Sequence, residues 1–198
     1  MGFLRVLPQF VHNHATLSFE ENMCGVPTTL FGAGSTGLWV MLFILSKIPE
    51  LVDTLFLVVH KKPVIFLHWY HHVTVLLYCW HSYVVNTTTG IWFCVMNYAV
   101  HGIMYFYYFL MAVKMRPKWF NPMWITYAQI SQMAVGVTIT ALAYYYKSVD
   151  VDGTCAIKHD NNIAAVIMYG SYLALFLQFF VRRYFKTKVH VGDKKKVV

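Results

Sequence analysis

The chain has 198 residues, of which 58% are hydrophobic, 18% aromatic and only 12% charged. With a positive mean hydropathy, this balance excludes an ordinary soluble domain and fits a chain that crosses a membrane several times. The net charge of +8 does not point to nucleic acid, because the basic residues gather at helix ends and in the tail, and four cysteines are too few for a disulfide scaffold.

Residues 1–12 mix apolar and basic side chains, are too short to span, and hold no cleavable signal sequence. They read as the remnant of a preceding span. Residues 13–35 are polar and rich in Gly and Thr and read as a loop, so that 1–35 forms a lumenal N-terminal segment. Five apolar segments follow, roughly 36–60, 64–85, 90–113, 121–146 and 162–185. Each is near the ~20 residues that a bilayer crossing needs, and lipid-exposed backbone must satisfy itself within a helix. The expected fold class is an all-α integral membrane protein with five transmembrane helices in residues 36–185, followed by a basic tail, 186–198.

If the helices alternate, Lys61, Lys62, Lys114, Arg116, Lys118 and the basic residues from Arg182 to Lys196 share one side. Only Arg5, Lys147 and Lys158 fall on the other. The positive-inside rule makes the richer side, and the C-terminus, cytosolic. The last four residues, Lys195-Lys196-Val197-Val198, have the form of a dilysine retrieval signal for the endoplasmic reticulum. Cys24 and Cys155 fall on the lumenal side, where oxidation is allowed; they are expected to pair, tying the N-terminal loop to the loop between the last two helices, with two free thiols as the alternative. Cys79 and Cys94 lie inside apolar runs as small hydrophobes. The sequon Asn86-Thr87-Thr88 sits close enough to the membrane to be expected unmodified.

The first span carries Lys47, Glu50, Asp53 and Thr54 on about a third of its circumference. Charges there must pair or face a wet cavity; a structural ion-pair network is the alternative. The second span opens with His68-Trp69-Tyr70-His71-His72, whose histidines at i, i+3 and i+4 share one face. Ionisable side chains at membrane depth mark a functional site, against the alternative of hydrogen-bonded core histidines. The third span carries Asn97, His101, Met104, Tyr105 and Tyr108 as one stripe, with Tyr107 off to the side; Asn97 can reach His101 at i,i+4. The fourth carries Thr126, Gln129 and Gln132 near Gly136, for interhelical hydrogen bonds or for a substrate carbonyl. These groups lie in the cytosolic halves of their spans, and the lumenal halves are mostly apolar. A deep pocket, polar at its cytosolic end, suits an amphiphile with a charged head and a long acyl tail, with basic residues at the mouth to meet phosphates.

Histidine boxes hold di-iron in membrane desaturases and hydroxylases, but with more boxes than the single one here, so no metal is expected. Without metal, imidazole exchanges protons near neutral pH or attacks a thioester and carries the acyl group as an acyl-imidazole.

Taken together, these motifs resemble the ELO family of very-long-chain fatty acid elongases, the 3-oxoacyl-CoA synthases of the endoplasmic reticulum. Lys47 to Thr54 is similar to that family's KxxExxDT motif, His68 to His72 to its HxxHH box, His101 to Tyr108 to its HxxMYxYY motif, and Thr126 to Gln132 to its TxxQxxQ stretch. The Trp-Tyr inside the box resembles the subfamily acting on saturated and monounsaturated chains of about palmitate length. The resemblance implies condensation of a long-chain acyl-CoA with malonyl-CoA to give 3-oxoacyl-CoA, CO2 and CoA, with no further cofactor. His71 would accept the acyl group, His101 would lie near the reacting carbon, and His68 and His72 would orient groups or shuttle protons. Lys47, Glu50, Asp53, Thr54, Asn97, Tyr105, Tyr108, Gln129 and Gln132 would line the substrate site. Implied partners are the ER membrane and the ketoreductase, dehydratase and enoyl reductase of the elongation cycle, with a homo-oligomer left open and no nucleic acid. The family has seven spans, six of them around an acyl tunnel. Five are found here, resembling the last five; either the chain is a fragment, a shortened isoform or an incomplete gene model, or the ring is open. A non-catalytic membrane protein that modulates an intact elongase is the alternative.

Overall fold

The computed structural model describes residues 1–115 and 120–186. Arg116, Lys118 and the Lys195-Lys196-Val197-Val198 signal lie outside the described residues. The helices are α1 (Gly2–Thr16), α2 (Phe19–Cys24), α3 (Pro27–Leu30), α4 (Gly34–Val59), α5 (Phe66–Val84), α6 (Gly90–Ala112), α7 (Met123–Val149) and α8 (His159–Phe180), which runs on into a π-helical turn, Val181–Lys186. The long helices α4 to α8 match the five apolar segments to within a few residues. Their ends have local causes. Lys61, Asn86 and Lys114 adopt left-handed backbone, with φ of 51°, 52° and 61°. The next N–H turns back in each case: Lys62 to the Leu57 carbonyl, Thr87 to Ser82 and Met115 to Leu110. This closure terminates α4, α5 and α6 by satisfying carbonyls that would otherwise be orphaned.

Residues 13–35 are not a loop. Ser18 caps α2 and Glu21 reaches back to the Ser18 N–H at 2.7 Å, a complete capping box; Pro27 begins α3 at a position where its missing N–H costs nothing. Residues 2–16 likewise form a packed helix, with Val6 fully buried and Asn13 donating to the Leu30 carbonyl at 2.9 Å.

That helix bears on the open-ring alternative. α4 packs on α5, α5 on α8, α8 on α7, α7 on α6, and α6 on α1, which returns to α4. Six helices among the described residues thus enclose one interior. With 15 residues, α1 is about 22 Å long, shorter than the ~30 Å of a bilayer's hydrocarbon.

The outer faces are apolar. On α4, Leu38, Leu42, Leu45, Ile48, Val52, Leu55 and Val59 are exposed at steps of three or four, as are Phe66, Trp69, Val73, Leu77, Trp80 and Val84 on α5. Such continuous apolar stripes would be a liability in water and suit a lipid environment. Among the described residues, by length and composition, one helix, His159–Phe185 with mean hydropathy 1.8, is apolar enough to cross a membrane.

The bundle end opposite the histidine box is tied covalently. Cys24 and Cys155 form a disulfide across 131 residues, and the Ala156 N–H donates to the Cys24 carbonyl at 2.8 Å. Asp150 organises the same loop: one carboxylate oxygen accepts from the Thr154 N–H, the other from the Cys155 N–H at 2.9 Å and from Lys147 at 3.2 Å. The Cys155 N–H, with Lys147 and Thr154, holds this carboxyl below its ordinary range.

Cys24→Ser should lower unfolding stability by about 2–5 kcal/mol, read as a fall in the thermal midpoint in detergent that reductant reproduces in the unaltered protein. Because the Asp150 pKa is depressed on folding, its contribution is complete above the ordinary carboxylate pKa and is lost as pH falls through the folded value. The stability gap between the protein and Asp150→Asn should therefore narrow on acidification.

Candidate active site

All five long helices contribute to a cavity of about 720 Å³ at the end of the bundle that holds the box. Asp53 comes from α4, His68, His71 and His72 from α5, and His101, Met104, Tyr105, Tyr107 and Tyr108 from α6. From α7 come Thr126, Gln129, Gln132 and Met133, and from α8 and its π-helical turn Phe176, Phe179, Arg183 and Tyr184. The i, i+3, i+4 spacing on α5 brings the imidazoles together: the His68 and His72 rings lie 4.5 Å apart and the His71 and His72 rings 5.6 Å apart. His71 is buried. His68 Nε2 and the Nδ1 atoms of His71, His72 and His101 are buried without a hydrogen-bond partner among the described residues. Structural histidines normally have such a partner; these four nitrogens do not. Among the described residues no three His, Cys, Asp or Glu side chains are grouped to hold a metal ion.

The charges of α4 divide. Asp53 lines the cavity and accepts from the Tyr105 hydroxyl at 2.9 Å. Lys47, only 2% exposed, lies outside the cavity lining and donates to Glu50 at 2.7 Å and to Asn97 at 2.9 Å. Its ammonium also sits 4.3 Å above the Phe43 ring. Asn97, expected to reach His101, instead gives its oxygen to the buried Lys47 ammonium, and His101 Nδ1 is left without a partner. Glu50 Oε2 and Thr54 Oγ1 are buried and unpartnered, and Thr54 does not line the cavity. Gln129 donates weakly to the Met104 sulfur at 3.5 Å, leaving its carbonyl for other partners.

Sequence reasoning misses Tyr107, which lines the cavity after all, and the whole contribution of α8. There Tyr169, Tyr172, Phe176, Phe179 and Arg183 recur at helical spacing, a signal present in the chain. Tyr172 is fully buried; its ring packs 4.6 Å from the His71 ring and its hydroxyl donates to the His71 carbonyl at 3.2 Å. The same hydroxyl pairs with Thr74. Together these contacts fix the backbone that presents His71.

Lys47→Met should destabilise the protein by about 3–5 kcal/mol by stranding Glu50, measured as thermal unfolding in detergent. Lys47→Met combined with Glu50→Gln should recover most of the loss.

The family model described as ELO, the GNS1/SUR4 family, matches residues 1–191. The chain is 49% identical over 169 residues to fatty acid elongase 3 of Trypanosoma cruzi (strain CL Brener), covering 84% of this chain and 56% of that protein. It is 47% identical over 168 residues to fatty acid elongase 3 of Trypanosoma brucei brucei (strain 927/4 GUTat10.1), covering 84% and 55%. With very long chain fatty acid elongase 6 of Drosophila melanogaster it is 42% identical over 184 residues, covering 93% and 58%. The chain thus spans little more than half the length of these relatives. No solved structure matches it. A match over nearly the whole chain, to proteins sharing 42–49% of aligned residues, places this chain in the ELO family.

Proposed function

We propose that the chain is a fatty acid elongase that condenses a long-chain acyl-CoA with malonyl-CoA, giving 3-oxoacyl-CoA, CO2 and CoA. The observation that carries this reading is the set of buried imidazole nitrogens, unpartnered within the protein, around one cavity of a chain whose relatives bear the name elongase. The preferred substrate is a saturated or monounsaturated chain of about palmitate length, a reading supported by the Trp69-Tyr70 pair between His68 and His71. No cofactor is needed, since both CoA thioesters are substrates.

In the proposed sequence His71 attacks the acyl thioester carbonyl. The carbon–sulfur bond breaks, CoA leaves with a proton, and an acyl-imidazole forms. Malonyl-CoA then loses CO2, and the electron pair released becomes an enolate carbon. That carbon attacks the acyl carbonyl and displaces His71, so bonds and charge balance without an oxidant. General-base action by the same imidazoles is the variant in which no covalent intermediate accumulates. His101 lies by the reacting carbon, while His68 and His72 orient the groups or pass protons. Asp53, Tyr105, Tyr108, Gln129 and Gln132 hold polar parts of the substrates. Lys47, Glu50 and Asn97 act from behind the cavity wall, and Thr54 belongs with them.

The setting proposed is the endoplasmic reticulum membrane, crossed by α4 to α8, with the histidine-box end and the C-terminus cytosolic and the disulfide end lumenal. The product feeds a ketoreductase, a dehydratase and an enoyl reductase; self-association is compatible with the lipid-facing belts. No feature of the site favours the alternative of a non-catalytic modulator.

In microsomes from cells lacking the endogenous elongase, the chain supplied with palmitoyl-CoA and labelled malonyl-CoA should form 3-oxoacyl product, and His71→Ala should reduce it to background. Product that persists in His71→Ala removes this residue as nucleophile; no product from the folded chain refutes the elongase reading.

A further inference from the structure

Of the four site imidazoles, His71 is the one held by rings of another helix. Among the described residues its ring lies 4.6 Å from that of Tyr172 and 6.2 Å from that of Phe176, both on α8. The aromatic contacts of the other three stay within their own helices: His68 meets His72, His72 also meets His71, and His101 meets Tyr105.

A reacting histidine is ordinarily oriented by a hydrogen bond at its second ring nitrogen, and that bond also sets the tautomer. His71 has no such bond among the described residues, and its Nδ1 is buried without a partner. Packing takes the place of the missing bond. Tyr172 is 1% exposed and does not line the histidine cavity, so its ring meets the imidazole from behind the cavity wall. Its hydroxyl donates to the His71 carbonyl at 3.2 Å and pairs with Thr74. One side chain of α8 therefore grips both the backbone and the ring of His71. An orientation held by shape does not depend on which nitrogen carries the proton. The ring can thus lose a proton, or take an acyl group, without losing its anchor.

We propose that Tyr172 is a positioning residue for the condensation, fixing His71 by ring packing and by the carbonyl hydrogen bond where a hydrogen bond to the imidazole would ordinarily do so. This rests on the elongase reading above, in which His71 acts on the acyl thioester. Misplacing a reacting atom by about 1 Å costs up to about 10²-fold in rate. Because Tyr172 forms no part of the cavity surface, the loss falls on kcat and spares substrate binding. The neighbouring Ser171 provides an internal control. Its Oγ lies 3.0 Å from the Tyr70 hydroxyl, a clasp between the same two helices that leaves His71 out.

The test is steady-state condensation of palmitoyl-CoA with labelled malonyl-CoA, in microsomes lacking the endogenous elongase. It is run below the thermal midpoint of every variant, as measured in detergent. Tyr172→Phe keeps the ring and loses the hydroxyl, and Tyr172→Leu loses both. The kcat should fall in Tyr172→Phe and further in Tyr172→Leu, by up to about 10²-fold in the latter, with KM for the acyl-CoA near that of the unaltered chain. Ser171→Ala should retain kcat, whereas a purely structural clasp between α5 and α8 would make it fall as Tyr172→Phe does. An unchanged kcat in Tyr172→Phe, an equal fall in Ser171→Ala, or a loss seen in KM alone overturns the positioning role and leaves the elongase reading intact. Absence of product from the unaltered chain overturns the elongase reading and this inference with it.

Discussion

An ammonium buried in a ring of helices must be answered from within the ring, because the outer faces offer only hydrocarbon. Lys47 is that group. Glu50, one turn along α4, supplies charge; Asn97, across the interior on α6, supplies a second oxygen; Phe43 supplies a π-face. Removing Glu50 would leave a charge that the low-dielectric interior penalises by several kcal/mol. The cluster therefore pins α4 to α6 at one depth, where α1 also joins the circuit. Other features of the interior are arranged on either side of that level: imidazoles and amides toward one end, apolar space toward the other.

The site gains its definition from the contrast between satisfied and unsatisfied groups. Elsewhere in the bundle buried polar atoms are mostly paired. Asn161 alone meets His81, Ser82 and Thr87, linking α5, α8 and the turn before α6. Around the larger cavity the imidazole nitrogens are left open while the backbone beneath them is held, most directly by Tyr172 at the His71 carbonyl. A rigid frame presenting unpaired donors and acceptors is what preorganised chemistry requires. The disulfide and the Asp150-capped loop secure the far end, so that the long helices do not splay where the interior is least polar.

Much of the fold was legible in the chain because apolar runs of bilayer length admit few structures other than helices. The boundaries of α4 to α8 follow from them, and the face-sharing of His68, His71 and His72 follows from helical periodicity. The N-terminal segment was misread although its signals were present. Ser18 and Glu21 spell a capping box, but a short helix in a polar stretch has no apolar run to announce it. The stripe from Tyr169 to Arg183 was readable by spacing too, yet aromatic residues at such spacing are common in ordinary packing and carry no chemistry on their face.

The sequence by itself determined which helices form, which side chains share a face, and the family to which the chain belongs, since these depend on local periodicity and on residue identity. Only the tertiary structure decided which neighbours those faces meet. It gave the Asn97 oxygen to Lys47 across the interior. It seated α1 between α4 and α6 and closed the ring, and it set the Tyr169 ring against Gly136. Each of these is a contact between residues far apart along the chain, settled by charge and shape once the helices are brought together.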